Sequence, residues 1–190
     1  MIGNDIVDIS LAALQSNWRR AGFLDKLFST AEIDLILNEA HPELMVWKLW
    51  SMKESAYKAD YRLKKIRKFN PKQLACKLID SRLGEVCIGA SSYKTMTASN
   101  SDFIHSIALQ HNFTGGFQHK IHKQKALMDT EQLYDLLIRH VARSTDCEVE
   151  ELLLRKTDDA IPELYRNKNK LKTICSMSHH GNYGAYIFTN

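Results

Sequence analysis

The residues best spaced for chemistry lie between Trp50 and Lys58, in the stretch WSMKESAYK. At about 100° per residue, a helix would place Glu54 and Lys58 one turn apart on a face that also carries Trp47 and Trp50. Such a pair can be a surface ion pair worth about 0.3–0.5 kcal/mol. It can equally be a metal-binding carboxylate beside a lysine placed for a phosphate group. Helical periodicity alone leaves both interpretations open.

A second carboxylate, Asp5, stands where a strand would bury it. The segment MIGNDIVDI predicts a strand in which Asp5 shares a face with Met1 and Val7. A carboxylate there is costly unless a cation or hydrogen bonds compensate its charge, although Asp5 could instead face solvent at a sheet edge. Gly3, on the same face, leaves room for a close approach to the backbone. We interpret the neighbouring Asp8 as structural.

Capping patterns and short alternating runs predict the elements that would position these residues. Ser29 and Asp129 each begin a capping pattern, which predicts helices through about residues 38 and 143. A longer helix is predicted from about residue 42 to 61, with Pro42 at its first position. The predicted strands after the first are 74–79, 85–90, 93–97, 102–109, 152–156, 164–166, 173–178 and 183–189.

This order predicts an α+β fold of two similar halves, each a helix packed on an antiparallel meander. The halves would be residues 1–117 and 126–190. Between them, Gly115-Gly116 and a polar composition predict a linker over 118–125.

Composition excludes several classes of protein. The hydrophobic content of 44% and charged content of 25% are those of a globular chain. No apolar run approaches the ~18 residues of a membrane span, and the acidic N-terminal segment does not resemble a signal peptide. The four cysteines lack metal-site spacing, so reduced thiols and a cytoplasmic location are expected. A net charge of +4 favours acidic partners without indicating nucleic acid.

The segment Ser176-Met-Ser178-His179 carries hydroxyl and imidazole groups at the end of a predicted strand. Adjacent strand residues point to opposite faces, so Ser178 and His179 are poorly placed for a nucleophile–base relay. Hydrogen bonding to a phosphate is the more natural role for them. The other histidines show no metal-ligand spacing.

Together, the Gly3-Asn-Asp5 segment, WSMKESAYK and Ser176-Met-Ser178-His179 resemble the 4′-phosphopantetheinyl transferase superfamily. That family's motifs read Gly-x-Asp, Trp-x-x-Lys-Glu-Ala/Ser-x-x-Lys and Ser-x-Ser-His. Their order here is that of the short holo-acyl-carrier-protein synthases, whereas the length approaches that of the two-half surfactin-synthetase type. We therefore hypothesise a permuted pseudo-dimer, in which residues 1–117 resemble the second half of the surfactin type. The active site would lie in the cleft between the halves.

The resemblance implies transfer of phosphopantetheine from coenzyme A to a serine of an acyl or peptidyl carrier protein. It implies Mg²⁺ on Asp5 and Glu54, with Glu54 and Lys58 as catalytic residues. Val7 stands where the surfactin type has a further acid, so the metal site would have two carboxylates. Glu54, a water on the metal or Lys58 could each accept the serine proton.

For the coenzyme, the resemblance points to the other half and to the cations near the main helix. The candidate coenzyme-binding residues are Lys53, Arg62, Lys64, Lys65, Ser178 and His179. The cations among them could instead contact an acidic carrier. We expect a monomer serving fatty-acid, polyketide or peptide synthesis, with no nucleic-acid or membrane partner.

Two other classes fit the same residues less fully. A metal-dependent nuclease or phosphohydrolase could use Asp5, Glu54 and Lys58, although such enzymes usually need more carboxylates. A non-catalytic basic binding domain would not require Asp5 on an apolar face.

Overall fold

The first half of the chain builds a five-stranded sheet covered by helices. A computed structural model describes residues 1–190. The elements of this half are β1 (Ile2–Asp8), α1 (Ile9–Gln15), α2 (Phe23–Leu27), α3 (Thr30–Leu37), α4 (Pro42–Lys64), β2 (Leu74–Leu78), β3 (Leu83–Ile88), β4 (Ser91–Ser99) and β5 (Phe103–Gln110). The strand order is β1-β5-β4-β3-β2, and every neighbouring pair is antiparallel.

The second half repeats this plan with fewer helices. Its elements are β6 (Phe117–Lys123), α5 (Thr130–Thr145), β7 (Leu152–Lys156), β8 (Pro162–Arg166), β9 (Asn169–His180) and β10 (Tyr183–Thr189). The strand order is β6-β10-β9-β8-β7. If the strands of each half are numbered from one to five along the chain, both sheets have the order 1-5-4-3-2. A single 3-10 turn also precedes the second strand of each half, at Pro71–Gln73 and Val149–Glu151. The predicted α+β fold of two helix-plus-meander halves is confirmed.

Helix α4 lies unusually close to β1. A Cβ atom on Gly3 would come within 2.2 Å of the Ser55 carbonyl oxygen and 2.9 Å of the Ala59 amide nitrogen. Only glycine leaves the helix backbone this near the strand, which fulfils the expectation of a close approach at this position. The middle of α4 is thereby held against the strand that carries Asp5. Neither α4 nor any other helix combines the length and apolar character needed to cross a membrane.

Two short helices, α1 and α2, were not predicted. Helix α1 follows β1 directly, and the Asp8 carboxylate caps it by accepting the Leu11 N–H at 3.1 Å. This cap supports the structural interpretation of Asp8. With 7 and 5 residues respectively, α1 and α2 are too short to show a clear helical period in the sequence.

The expected linker at 118–125 is corrected by the structure, since Phe117–Lys123 forms strand β6. This strand pairs with β10 along its length, from Phe117 opposite Thr189 to Lys123 opposite Tyr183. It is an edge strand with no fully buried residue, so its polar side chains hid the alternation. The connection between the two sheets is only residues 111–116. The division into domains remains a prediction.

The two halves pack through their first and last strands. Two buried apolar clusters cross from one half to the other, formed by Ile2, Ile107 and Ile187 and by Ile6, Tyr183 and Ala185. Strand β9 lies along the edge of β1 that β5 leaves free.

Candidate active site

Asp5 lies at the junction of the halves, where both compensate its charge. Its Oδ1 accepts from Lys58 Nζ at 2.9 Å and from Ser178 Oγ at 2.9 Å. Lys58 Nζ also donates to the Asn4 carbonyl oxygen at 3.0 Å. With only 7% of Asp5 exposed, these contacts are the cation and hydrogen bond that a carboxylate on an apolar face requires.

The serines of the third motif reach Asp5 because they satisfy the free edge of β1. The Asn4 N–H donates to Ser176 Oγ at 3.1 Å, and the Ile6 N–H donates to Ser178 Oγ at 3.3 Å. Ser178 therefore accepts from one residue of β1 while it donates to the adjacent Asp5 carboxylate. Strand β9 presents its hydroxyls where a further backbone strand would otherwise pair.

Glu54 lies one turn before Lys58 on α4 and makes no hydrogen bond or ion pair with the protein. Burial and the nearby negative charge of Asp5 raise the pKa of Glu54 to about 7, while Lys58 partly opposes this rise. Two close carboxylates with one lysine carry an excess of negative charge. The pair therefore has the charge and the ligand type that a divalent cation prefers.

One cavity, of about 340 Å³, opens beside the two carboxylates. Its polar side is formed by Asp5, Gln15, Ser16, Glu54, Ser178, His179 and His180. Its apolar side is formed mainly by Phe23, Leu27, Trp47 and Trp50. The predicted face of α4, with its two tryptophans, thus lines the site together with the carboxylate.

A second cavity, of about 330 Å³, lies on the other side of Ser178 and His179. It is cationic, since Lys58, Arg62 and Lys156 line it. Its remaining lining includes Tyr61, Thr130 and Tyr134. Ser178 and His179 belong to both cavities. The apolar cavity, which holds the carboxylates, and the cationic cavity therefore adjoin at Ser178 and His179.

The predicted coenzyme residues Arg62 and His179 are held by contacts from the second half. Arg62 Nη2 donates to the Pro162 and Cys175 carbonyl oxygens. His179 Nε2 lies 3.1 Å from Thr130 Oγ1. Both side chains line the cationic cavity, and their contact with coenzyme stays a prediction. Lys156, at the end of β7, lies there too, but no motif near it in the sequence signalled this.

The expectation for Lys53 is corrected, because this lysine is fully buried away from both cavities. Its Nζ donates to Glu32 Oε2 at 2.7 Å and to the carbonyl oxygens of Leu27 and Pro71. The side chain joins α4 to α3 inside the first half. Lys53 is therefore a structural residue and not a coenzyme ligand.

Lys64 and Lys65 also lie outside the two cavities of the site. Lys64 pairs with Asp60 at 2.7 Å on its own helix, and Lys65 pairs with Asp159 at 3.3 Å. Lys65 lines a separate basic groove with Arg62, Lys170 and Lys172. Contact with coenzyme or carrier stays a prediction for both residues.

The carboxylates available to a metal are two. Val7 contributes to the cavity wall, and Asp8 is occupied in capping α1. No group of three or more His, Cys, Asp or Glu side chains is arranged to hold a metal ion. A metal at Asp5 and Glu54 would therefore need ligands from substrate or water.

Two solved structures resemble the fold weakly. One is Helicobacter pylori holo-acyl-carrier-protein synthase in complex with coenzyme A, at 16% identity and a TM-score of 0.48, covering 58% of this chain and 99% of that one. The other is Thermotoga maritima holo-acyl-carrier-protein synthase, at 8% identity and a TM-score of 0.47, covering 89% of this chain and 83% of that one. Neither likeness is close enough to support a statement about the site. Comparison with curated proteins gives no match.

The family is shown instead by a model of the sequence pattern itself. The model described as the 4′-phosphopantetheinyl transferase superfamily matches residues 1–108, more than half of the 190 residues. The matched region contains Asp5, Glu54 and Lys58, the residues that the structure brings to one junction. The chain therefore belongs to the 4′-phosphopantetheinyl transferase superfamily.

Proposed function

We propose that this chain transfers 4′-phosphopantetheine from coenzyme A to a serine hydroxyl of an acyl or peptidyl carrier protein. The contact of Asp5 with Lys58 and Ser178 carries this proposal, because it joins the three family motifs across the two halves. Family membership supports the reaction class.

The two cavities suit the two ends of coenzyme A. The cationic cavity, with Lys58, Arg62 and Lys156, matches the charge of the adenosine bisphosphate end. The apolar cavity, with Trp47 and Trp50, matches the uncharged pantetheine arm. The pyrophosphate between these ends would then lie at Ser178 and His179, which both cavities share.

Asp5 and Glu54 fit Mg²⁺ as its protein ligands. Mg²⁺ is commonly bound by one or two carboxylates together with substrate phosphates and water. The Glu54 carboxylate has no partner in the protein, and burial raises its pKa. Both features indicate that a cation beside Glu54 and Asp5 would stabilise the site. When bound, Mg²⁺ would neutralise pyrophosphate charge and orient the phosphates.

The protein's own groups then account for the proton and the leaving group. The carrier serine oxygen attacks the phosphorus that bears pantetheine, and the bond from that phosphorus to the bridging oxygen breaks. Glu54 is the better placed base, since its carboxylate has no protein partner, whereas Lys58 Nζ is held by Asn4 and Asp5. Lys58 and Arg62 stabilise the charge that develops on the departing adenosine bisphosphate.

The wider assignments follow from the same proposal. The duplicated topology supports a permuted pseudo-dimer whose halves divide near residue 117. The chain would act as a monomer. Four free cysteines agree with a reducing cytoplasm. Lys64 and Lys65, at the exposed end of α4, are candidates for contact with an acidic carrier.

Intact-mass spectrometry of an apo carrier protein, incubated with this chain, coenzyme A and Mg²⁺, tests the reaction. We expect the carrier to gain one phosphopantetheine group, and expect chelation or Glu54→Gln to prevent that gain. Glu43→Gln, an exposed glutamate on the same helix, is the matched control and should remain active.

Several unrelated carriers should be tried, so that fatty-acid, polyketide and peptide synthesis are each represented. Failure with all of them, together with no binding of coenzyme A by calorimetry, would refute the transferase function. Transfer that persists undiminished in Glu54→Gln would refute the assigned site while leaving the reaction intact.

A further inference from the structure

Three alternate residues of β9 hold the free edge of β1 through their side chains. The N–H groups of Asn4, Ile6 and Asp8 donate to Ser176 Oγ, Ser178 Oγ and His180 Nδ1, at 3.1, 3.3 and 2.9 Å. Each pair is separated by 172 residues, so the two strands keep one register through all three contacts. We call these contacts the side-chain ladder.

His180 makes the shortest contact of the side-chain ladder, and that contact defines its tautomer. A backbone N–H can only donate, so Nδ1 must be the unprotonated nitrogen of a neutral ring. Nε2 then carries the hydrogen and lies 3.0 Å from Gln15 Oε1 on α1. The imidazole thus connects β9 with both β1 and α1.

The turn after His180 also binds Asp8, at the end of β1. The Asn182 N–H donates to Asp8 Oδ2 at 3.1 Å, while Asp8 Oδ1 caps α1. Gly181, at φ 57°, brings the turn so near that a Cβ on it would lie 2.4 Å from Asp8 Oδ2. Both the backbone and the carboxylate of Asp8 are therefore tied to the end of β9.

We propose that neutral His180 is a positioning residue of the transferase site, which keeps β1 in the register that places Asp5 against Ser178. The middle contact of the side-chain ladder is the one at the reacting centre, where Ser178 Oγ accepts from Ile6 and donates to Asp5. His180 holds the strand two residues further on; it borders the apolar cavity but makes no hydrogen bond to Asp5 or Glu54. This role rests on the proposed function for its effect on catalysis, but not for the contact.

Protonation of His180 would turn Nδ1 into a donor facing another donor, and the contact with Asp8 would be lost. The charged groups facing the ring are Asp8 and Asp5 on β1 and His179 on β9, while Gln15 on α1 is neutral. Burial lowers the pKa of His180 most, His179 lowers it further, and the two aspartates oppose them. The neutral, holding form is therefore present above pH 6.5 and is lost as the pH falls through a lower folded-state value.

The test compares two substitutions that place an acceptor differently. In His180→Asn, the amide oxygen lies close to the position of Nδ1 and cannot ionise, so it should keep the Asp8 contact. In His180→Gln, the amide lies one carbon further out, near the position of Nε2, and should lose that contact. His41→Gln, at an exposed histidine before α4, is the control for the loss of an imidazole.

At pH 7.5 we expect kcat to fall by up to about tenfold in His180→Gln, the loss expected for one neutral hydrogen bond, and to be nearly unchanged in His180→Asn. KM for coenzyme A should change less than kcat, because His180 is absent from the cationic cavity and only borders the apolar one. Amide hydrogen exchange by NMR should show the Asp8 N–H protected in the wild type and in His180→Asn, and exposed in His180→Gln.

Exchange at Asp8 reports the contact whether or not the chain is a transferase. Equal protection and equal kcat in His180→Gln and wild type would overturn the proposal. An equal loss in both variants would also overturn it, because the Nδ1 acceptor would then not be the group that matters. An inactive wild type with the expected exchange pattern would refute the transferase function alone.

Discussion

The two halves share one strand order but differ in what their first strand and main helix carry. In the first half, β1 holds Asp5 and α4 holds Glu54 and Lys58. In the second, β6 reads FQHKIHK without a carboxylate, and the buried residues of α5 are apolar or alanine. What the second half adds instead is the hydroxyl and imidazole of β9. Under the proposed function, a single topology would thus supply the metal ligands from one half and the phosphate-binding groups from the other.

The halves also meet on the side opposite Asp5 and Ser178, and the residues there explain why the repeated topology does not form a second carboxylate site. There β4 and β6, the counterparts of β9 and β1, border a cavity of about 530 Å³ lined by Thr97 and His119. The one carboxylate in its lining, Asp80, already accepts the N–H groups of Arg82 and Leu83 at 2.7 Å. No free carboxylate pair faces this cavity, so it lacks the charge that a divalent cation requires.

The largest effect, on stability, should come from substitutions at buried positions of the two main helices, α4 and α5. Lys53→Met leaves Glu32 buried without its cation, and we expect a loss of about 3–5 kcal/mol in the free energy of unfolding. Leu137→Met, at an equally buried position on α5, should cost less than about 1.5 kcal/mol. Urea unfolding measures both.

The Lys53 result also separates structure from binding. At a temperature where Lys53→Met is folded, its affinity for coenzyme A should equal that of the wild type. A weakened affinity in the folded variant would restore Lys53 as a coenzyme ligand. Partial recovery of stability in the double variant Lys53→Met with Glu32→Gln would support the unpaired charge as the cause.

The next effect contrasts one aspartate from each half. Asp5→Asn keeps the side-chain size but removes the charge that pairs with Lys58 and that the proposed Mg²⁺ site needs, so kcat should fall at least about 100-fold. Asp135→Asn on α5 removes an exposed carboxylate paired only with Arg139 and should leave kcat unchanged. Mass-spectrometric transfer rates at saturating coenzyme A compare them, and similar rates in both variants would contradict the single site.

The smallest effect is a dependence of metal binding on pH. Glu54, with a pKa raised from 4.5 to about 7, stabilises the metal-free fold fully below pH 4.5, and this contribution is lost as the pH rises through about 7. Mg²⁺ should therefore raise Tm more at pH 8 than at pH 6. Glu54→Gln should abolish this difference, while Glu131→Gln on α5 should preserve it. A Tm increase independent of pH would argue against Glu54 as a ligand.

Local signals predicted most of the fold. The capping boxes at Ser29 and Asp129 form as predicted, with both reciprocal hydrogen bonds of each box present. Strand β6 escaped prediction because an edge strand buries too little to show its alternation. Helices α1 and α2 are set by tertiary packing more than by their own sequence.

Site residues could be predicted from the sequence where a residue type requires a compensating partner at its position. Asp5 on an apolar face called for a cation, and Lys58 and Ser178 supply its compensation. The fate of Lys53 was not predictable in this way, because helical spacing shows which residues share a face but not that α3 covers the other face with Glu32. Lys156 comes from a strand distant in sequence, so only the fold could place it in the site.

The short connection over residues 111–116 makes assembly of the site intramolecular. Six residues between β5 and β6 keep each half at a high effective concentration relative to the other, in the millimolar range expected of short tethers. The junction of Asp5 with Ser178 should thus form equally well at nanomolar and micromolar protein. Under the proposed function, activity per molecule should then be independent of dilution, as it would not be for an enzyme that borrows such a serine from another chain.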